Sequence, residues 1–247
     1  MKIWSAIYPV LLYYAGCSIG SLFFSVGVPM VVGACVIFPI FKSENVQITM
    51  PEKERGNMQK VHCISRQRGW KRDLPLLLIF GASTALFFNI LFALLQITGS
   101  SQQYAEVAEK QFAFPLWAGI LLYGIVSPVA EEMVFRGIVF NRLKRFFGRV
   151  TAITGSALIF GLYHGNMVQA LYGFILGLLI AFFYEHYGSF VVPVLLHSAA
   201  NVCVYIVSGN VSLQSTLMNW TSCMVCGILA IVLFGILGLK KEDHKLQ

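Results

Sequence analysis

The amino-acid sequence predicts an all-α polytopic membrane helix bundle with about eight transmembrane helices, and three observations predict it. Of the 247 residues, 57% are hydrophobic and only 12% charged, about half the charged fraction of a soluble domain. From Ile3 to Phe41 there is no charge in 39 residues, roughly twice the length that one apolar span needs. The bases also alternate from side to side: fifteen fall in segments 42–74, 141–149 and 240–247, against Lys110 alone in 99–114, 164–167 and 208–220. Loops rich in Lys and Arg stay in the cytoplasm. The formal net charge of +7 thus has a topological explanation and does not imply nucleic acid as a partner.

Taken in order, residues 1–41 read as an N-terminal helical hairpin, with the glycines and Pro29 of GCSIGSLFFSVGVP (16–29) offering the turn. The competitor is one long helix, which would leave seven spans. Lacking a small-residue cleavage site, this start reads as a retained span rather than a signal peptide. Residues 42–74, with eight of the eighteen Lys and Arg, read as a cytoplasmic polar loop. A span from Leu76 to about Thr98 follows, then a weakly charged linker over 99–114. The next helix starts at Pro115 and runs through AEEMVFRG (130–137) into the basic, aromatic NRLKRFFGR (141–149), an interfacial end. Spans at about Ala152–Tyr163, Val168–Tyr184, Val191–Val207 and Thr221–Leu239 precede the terminal KKEDHKLQ. The absence of any internal repeat makes 1–247 a single integral membrane domain with both termini cytoplasmic. The six cysteines are scattered, so no disulfide framework is expected, and Cys223 and Cys226 lack the partners of a tetrahedral zinc site.

A charge at the middle of a membrane helix costs roughly 3 kcal/mol, so the few buried ionisable residues mark where chemistry can be. They form three clusters: Glu131, Glu132 and Arg136; Phe160 and His164 in FGLYHG (160–165); and His197 with Asn201 in HSAAN (197–201). Glu185 and His186 lie at a span end, within reach of water. Glu132 and Arg136 are four residues apart on one helix face and can pair, which leaves Glu131 about 100° around the helix. His197 and Asn201 have the same spacing. Singly, each cluster reads better as an interhelical hydrogen bond or a structural ion pair. Together, with almost no other buried polarity, they read as a site. A carboxylate and a histidine converging on one water can deprotonate it, and a second histidine with an amide can support an oxyanion. Glu131, His164 and His197 are equally a reasonable zinc ligand set, and spacing does not separate the two chemistries. Aspartyl chemistry is excluded because the only aspartates, Asp73 and Asp243, are in loops, and HExxH because no histidine precedes a glutamate. GCSIG (16–20) matches GxSxG but lacks the strand-to-helix elbow.

EExxxR (131–136), FxxxH (160–164) and HxxxN (197–201), in this order on successive helices, resemble the CAAX protease and bacteriocin-processing (Abi) family over about residues 115–207. The resemblance implies an intramembrane endopeptidase in which Glu131 and His164 activate water while His197 and Asn201 support the oxyanion. Glu132, Arg136 and Phe160 would be supporting residues. It leaves the cofactor as either zinc or none; Asn201 suits an oxyanion better than a metal. The partners implied are a peptide or protein substrate at the membrane and the lipid bilayer; the short loops, charge pattern and lack of organelle signals read as a bacterial plasma membrane. Prenyl substrates belong to the eukaryotic branch of the family, and HKLQ is not a CaaX box. Two other classes compete: a non-catalytic immunity or scaffold protein that binds a bacteriocin-like peptide, and a small-solute or proton transporter, for which paired broken spans are not evident.

Overall fold

An apolar run withdrawn from water must satisfy its own backbone, and a helix does so within one segment. The computed structural model describes residues 2–23, 28–49 and 69–239, and among these every regular element is a helix. The predicted hairpin turn at 24–27, residues 50–68 of the polar loop and the terminal KKEDHKLQ lie outside the described residues.

Helix α1 (Lys2–Ser21) and α2 (Val28–Thr49) are separate helices packed on each other, Gly16 facing Gly33 and Gly20 facing Pro29. Two helices rather than a single long one thus occupy the described part of this run, and the glycines of GCSIG are a helix contact. Helix α2 continues into the stretch read as polar loop, because Glu44 is buried against Arg142 and Arg145. Helix α3 (Trp70–Leu94) begins before the predicted Leu76. Hydropathy rejects the charged turn WKRD, but Asp73 suits the positive end of a helix and accepts from Tyr187 Oη at 3.0 Å. The chain leaves the helix at Leu95, and Gln96 takes φ +58°.

The predicted linker 99–114 holds a helix, α4 (Gln102–Phe112), whose first turn is capped by Ser101 accepting from Tyr104 N–H. Helix α5 (Leu116–Phe147) is 32 residues long. Gly148, at φ +86°, turns the chain into α6 (Arg149–Tyr163). Helices α7 (Met167–Tyr187) and α8 (Val191–Ser208) match their predictions to within three residues. A short α9 (Val211–Leu217) lies in the predicted connection 208–220, and α10 (Trp220–Gly238) follows.

Six of these helices, α1, α3, α5, α7, α8 and α10, are long and apolar enough to cross a membrane; the chain is an integral membrane protein. The 15-residue α6 is only about 22 Å long, less than the ~30 Å hydrocarbon layer. By length it is too short to cross that layer alone, and His164 follows its end.

Two apolar cores form the body. One joins α1, α2, α5 and α6 around Tyr13, Ile37, Phe135 and Phe140; the other joins α3, α7, α8 and α10 around Phe80, Ile180, Phe183 and Leu196. Helices α6 and α7 close the gap between them. Gly177 makes their contact possible, since a Cβ there would meet Phe160 Cδ1 at 3.2 Å and Ala157 Cβ at 3.3 Å.

Candidate active site

The site is built from the middle of α5, which is not a regular helix. Residues Ile120–Val126 and Phe135–Phe140 are π-helical, on either side of an α-helical Ser127–Val134; such inserts occur often at functional sites. Proline supplies the reason at the first. Ser127 N–H reaches back to Leu122 O and Pro128 has no N–H, so the Tyr123 carbonyl lacks a helical partner. Asn201 of α8 donates to it through Nδ2 at 2.9 Å.

Between the two inserts, the two glutamates diverge as the 100° step requires. Glu132 and Arg136 are both fully buried at 0% exposure and pair at 2.9 Å, Arg136 Nη1 donating to Glu132 Oε1. Arg136 is held further by the Gly177 carbonyl, which accepts from Nη2 at 2.9 Å, and by the Phe160 ring, 4.8 Å from its guanidinium carbon. Glu131 faces the cavity instead. Its Oε1 accepts from Ser127 Oγ at 2.6 Å and its Oε2 lies 3.8 Å from His197 Nε2.

His197, buried at 3% exposure, lies between the two carboxylates. Its Nδ1 is 2.8 Å from the same Glu132 Oε1 that pairs with Arg136. Since a carboxylate only accepts, Nδ1 carries the proton and Nε2 turns to the cavity. His164 is oriented in the same sense: its Nδ1 donates to Phe160 O at 2.9 Å, so Nε2 is the nitrogen left for chemistry. Phe160 stands edge-on to both imidazoles, with ring centroids 4.9 Å from His164 and 5.5 Å from His197. It is the common wall of the cluster.

Glu131, His164, His197 and Asn201, together with Ser127 and Phe160, line one cavity of about 340 Å³. Glu132 and Arg136 stand behind it. Among the described residues, no three His, Cys, Asp or Glu side chains are placed to hold a metal ion. Glu131 and His197 approach each other, but His164 does not complete a ligand set with them. The zinc set that residue types allow is not assembled here, and no step below runs through a metal.

Local spacing missed three contacts. Ser127 is four residues before Glu131, so the rule that pairs Glu132 with Arg136 applies to it as well. The bond between Glu132 and His197 crosses 65 positions, and Gly177 contributes only its carbonyl; neither leaves a local signal.

The family described as Type II CAAX prenyl endopeptidase Rce1-like matches residues 113–203. The chain is 32% identical over 87 residues to "Putative membrane peptidase YdiL" of Bacillus subtilis (strain 168), covering 35% of this chain and 36% of that protein. It is 25% identical over 137 residues to "Membrane-embedded CAAX protease MroQ" of Staphylococcus aureus (strain USA300), covering 53% of each. The chain thus spans between about a third and a half of the length of these relatives. No solved structure matches it. The three motifs all fall inside the matched segment, on helices that meet at one cavity, and over residues 113–203 the chain is similar to the Rce1-like CAAX endopeptidase family that those motifs resemble.

Proposed function

We propose that the protein is an intramembrane endopeptidase of a bacterial plasma membrane, hydrolysing a peptide bond in a membrane-associated peptide or protein with residues 115–207 as its catalytic core. The observation that carries this reading is the convergence of Glu131, His164, His197 and Asn201, from three helices, on one cavity. Glu131 and His164 activate the water, which attacks the carbonyl carbon as a proton passes to the Glu131 carboxylate. Ser127 keeps that carboxylate aimed. The oxyanion is met by the second N–H of Asn201 Nδ2, whose first is committed to Tyr123 O. His197 joins it when both ring nitrogens carry protons, Nδ1–H held by Glu132 and Nε2–H facing the cavity. When the C–N bond breaks, the proton held at Glu131 leaves on the departing amine. Arg136 and Glu132 orient His197 from behind and touch no substrate.

The test is peptidase activity of the purified protein on model membrane peptides, with and without chelator, beside the Glu131→Gln variant. Glu131→Gln should lower kcat by at least about 10², the usual contribution of a general base, with thermal stability retained. Activity should persist with chelator. Full activity in Glu131→Gln would overturn the assignment, and protection against a peptide toxin that survives loss of Glu131 and His164 would return the immunity-protein reading.

A further inference from the structure

Helix α4 has the sequence QQYAEVAEKQF, with Tyr104, Val107, Ala108 and Gln111 at the spacing of a single helix stripe. None of its residues is buried, so this stripe is not packed as a core face. It lines the cavity instead: those four residues and Phe112 share it with Glu131, His164 and His197. Every charge of the helix, Glu106, Glu109 and Lys110, is exposed. The helix is also fastened in place. Tyr205 Oη donates to Gln111 O at 3.0 Å, and the Phe112 and Tyr205 rings stand 5.1 Å apart. The same cavity is lined by Phe92 of α3 and by Tyr172 and Leu176 of α7, with the uncharged amides of Asn89 and Gln169 beside them. The family match begins at residue 113, so α4 lies outside the segment that carries the catalytic motifs.

We infer that α4 is the substrate-reading wall of the cavity. Tyr104, Val107 and Gln111 determine which residue beside the scissile bond is accepted, and they select an uncharged apolar or aromatic side chain in an extended peptide segment. The chemistry follows from the lining. A charged side chain between the α4 stripe and Phe92, Tyr172 and Leu176 would lose its water with no counter-ion from either wall, whereas an apolar one gains burial. Gln111 adds an amide suited to pairing with the peptide backbone. This inference rests on the peptidase reading.

The test uses the full-length protein in lipid nanodiscs and a set of model peptides differing at the residue beside the cleaved bond: Ala, Leu, Phe, Asp or Lys. The wild type should favour Leu and Phe over Asp and Lys. Val107→Trp, which narrows the wall, should shift the kcat/KM ratio of the Ala to the Phe peptide by roughly tenfold or more, as pocket size does elsewhere. The shift should arise mainly in KM. Tyr104→Ala, which widens it, should move preference the opposite way, and Glu106→Gln on the outer face should leave preference unchanged. If both wall variants scale every peptide equally, or a charged residue is preferred by the wild type, the proposal fails while the peptidase reading stands. If wild type and Glu131→Gln are alike on every peptide, both fall together.

Discussion

Glu132 Oε1 accepts from Arg136 Nη1 at 2.9 Å and from His197 Nδ1 at 2.8 Å, so one oxygen ties the fold of α5 to the orientation of a ring that lines the cavity. Glu131, its neighbour, accepts from Ser127 and faces His197. Substitutions at the two should therefore separate. Glu132→Gln leaves the fully buried Arg136 without its counter-charge, which should cost about 3 kcal/mol as a lowered unfolding midpoint, and it should lower kcat as well because His197 loses its anchor. Glu131→Gln should lower kcat alone. In the proposed mechanism Ser127 is a positioning residue: Ser127→Ala removes a hydrogen bond to a charged group, worth about 1.5 kcal/mol or a tenfold loss of rate. The loss should appear in kcat with KM unchanged, and Ser127→Thr should restore it; a KM effect alone would remove Ser127 from the catalytic geometry. The pairing of Glu132 with Arg136 was legible in the sequence because both lie on one helix face. Their partner His197 was not, since its place depends on how α8 packs against α5.

At the scale of elements, α5 shows why a helix read as continuous is built in pieces. Its π-helical segments flank the glutamates, and the first exposes the Tyr123 carbonyl to Asn201. Pro128→Ala restores an N–H to the helix, which should let the backbone satisfy itself and leave Asn201 without its anchor. The expected result is an unfolding midpoint that stays the same or rises, with kcat falling severalfold. Loss of stability without a change in rate would show that the proline serves the fold alone. The short helices α4 and α9 show a different limit of sequence reading. Neither is apolar enough to stand out, and both fall in segments that read as connections; α4 is helical with Ser101 as its cap and a cavity beside its apolar stripe.

The whole molecule has two unlike ends. At one, Arg142 and Arg145 pair with Glu44 at 2.7 and 2.9 Å, and Lys144 pairs with Glu185 at 2.8 Å. Toward the other lie α4, the end of α6 and the cavity. The excess of bases at the first end predicts that it faces the cytoplasm, so substrate would approach from the opposite face. In a variant without its native cysteines, a cysteine at position 100 should react with a membrane-impermeant thiol reagent in intact cells. One at position 148 should react only after permeabilisation, and the reverse pattern would invert the topology. The sequence by itself determined the helical class, the order and approximate limits of the long apolar helices, and the polar residues worth attention. Those features follow from local hydropathy and from residue spacing along one helix, and the charge pattern adds an expected orientation. Only the tertiary structure decided that Glu132 holds His197 as well as Arg136, that Pro128 opens a carbonyl for Asn201, and that a modest helix outside the motifs walls the cavity. Each of these joins segments far apart in the chain, and contacts between separate helices are set by packing in three dimensions, which no local pattern records.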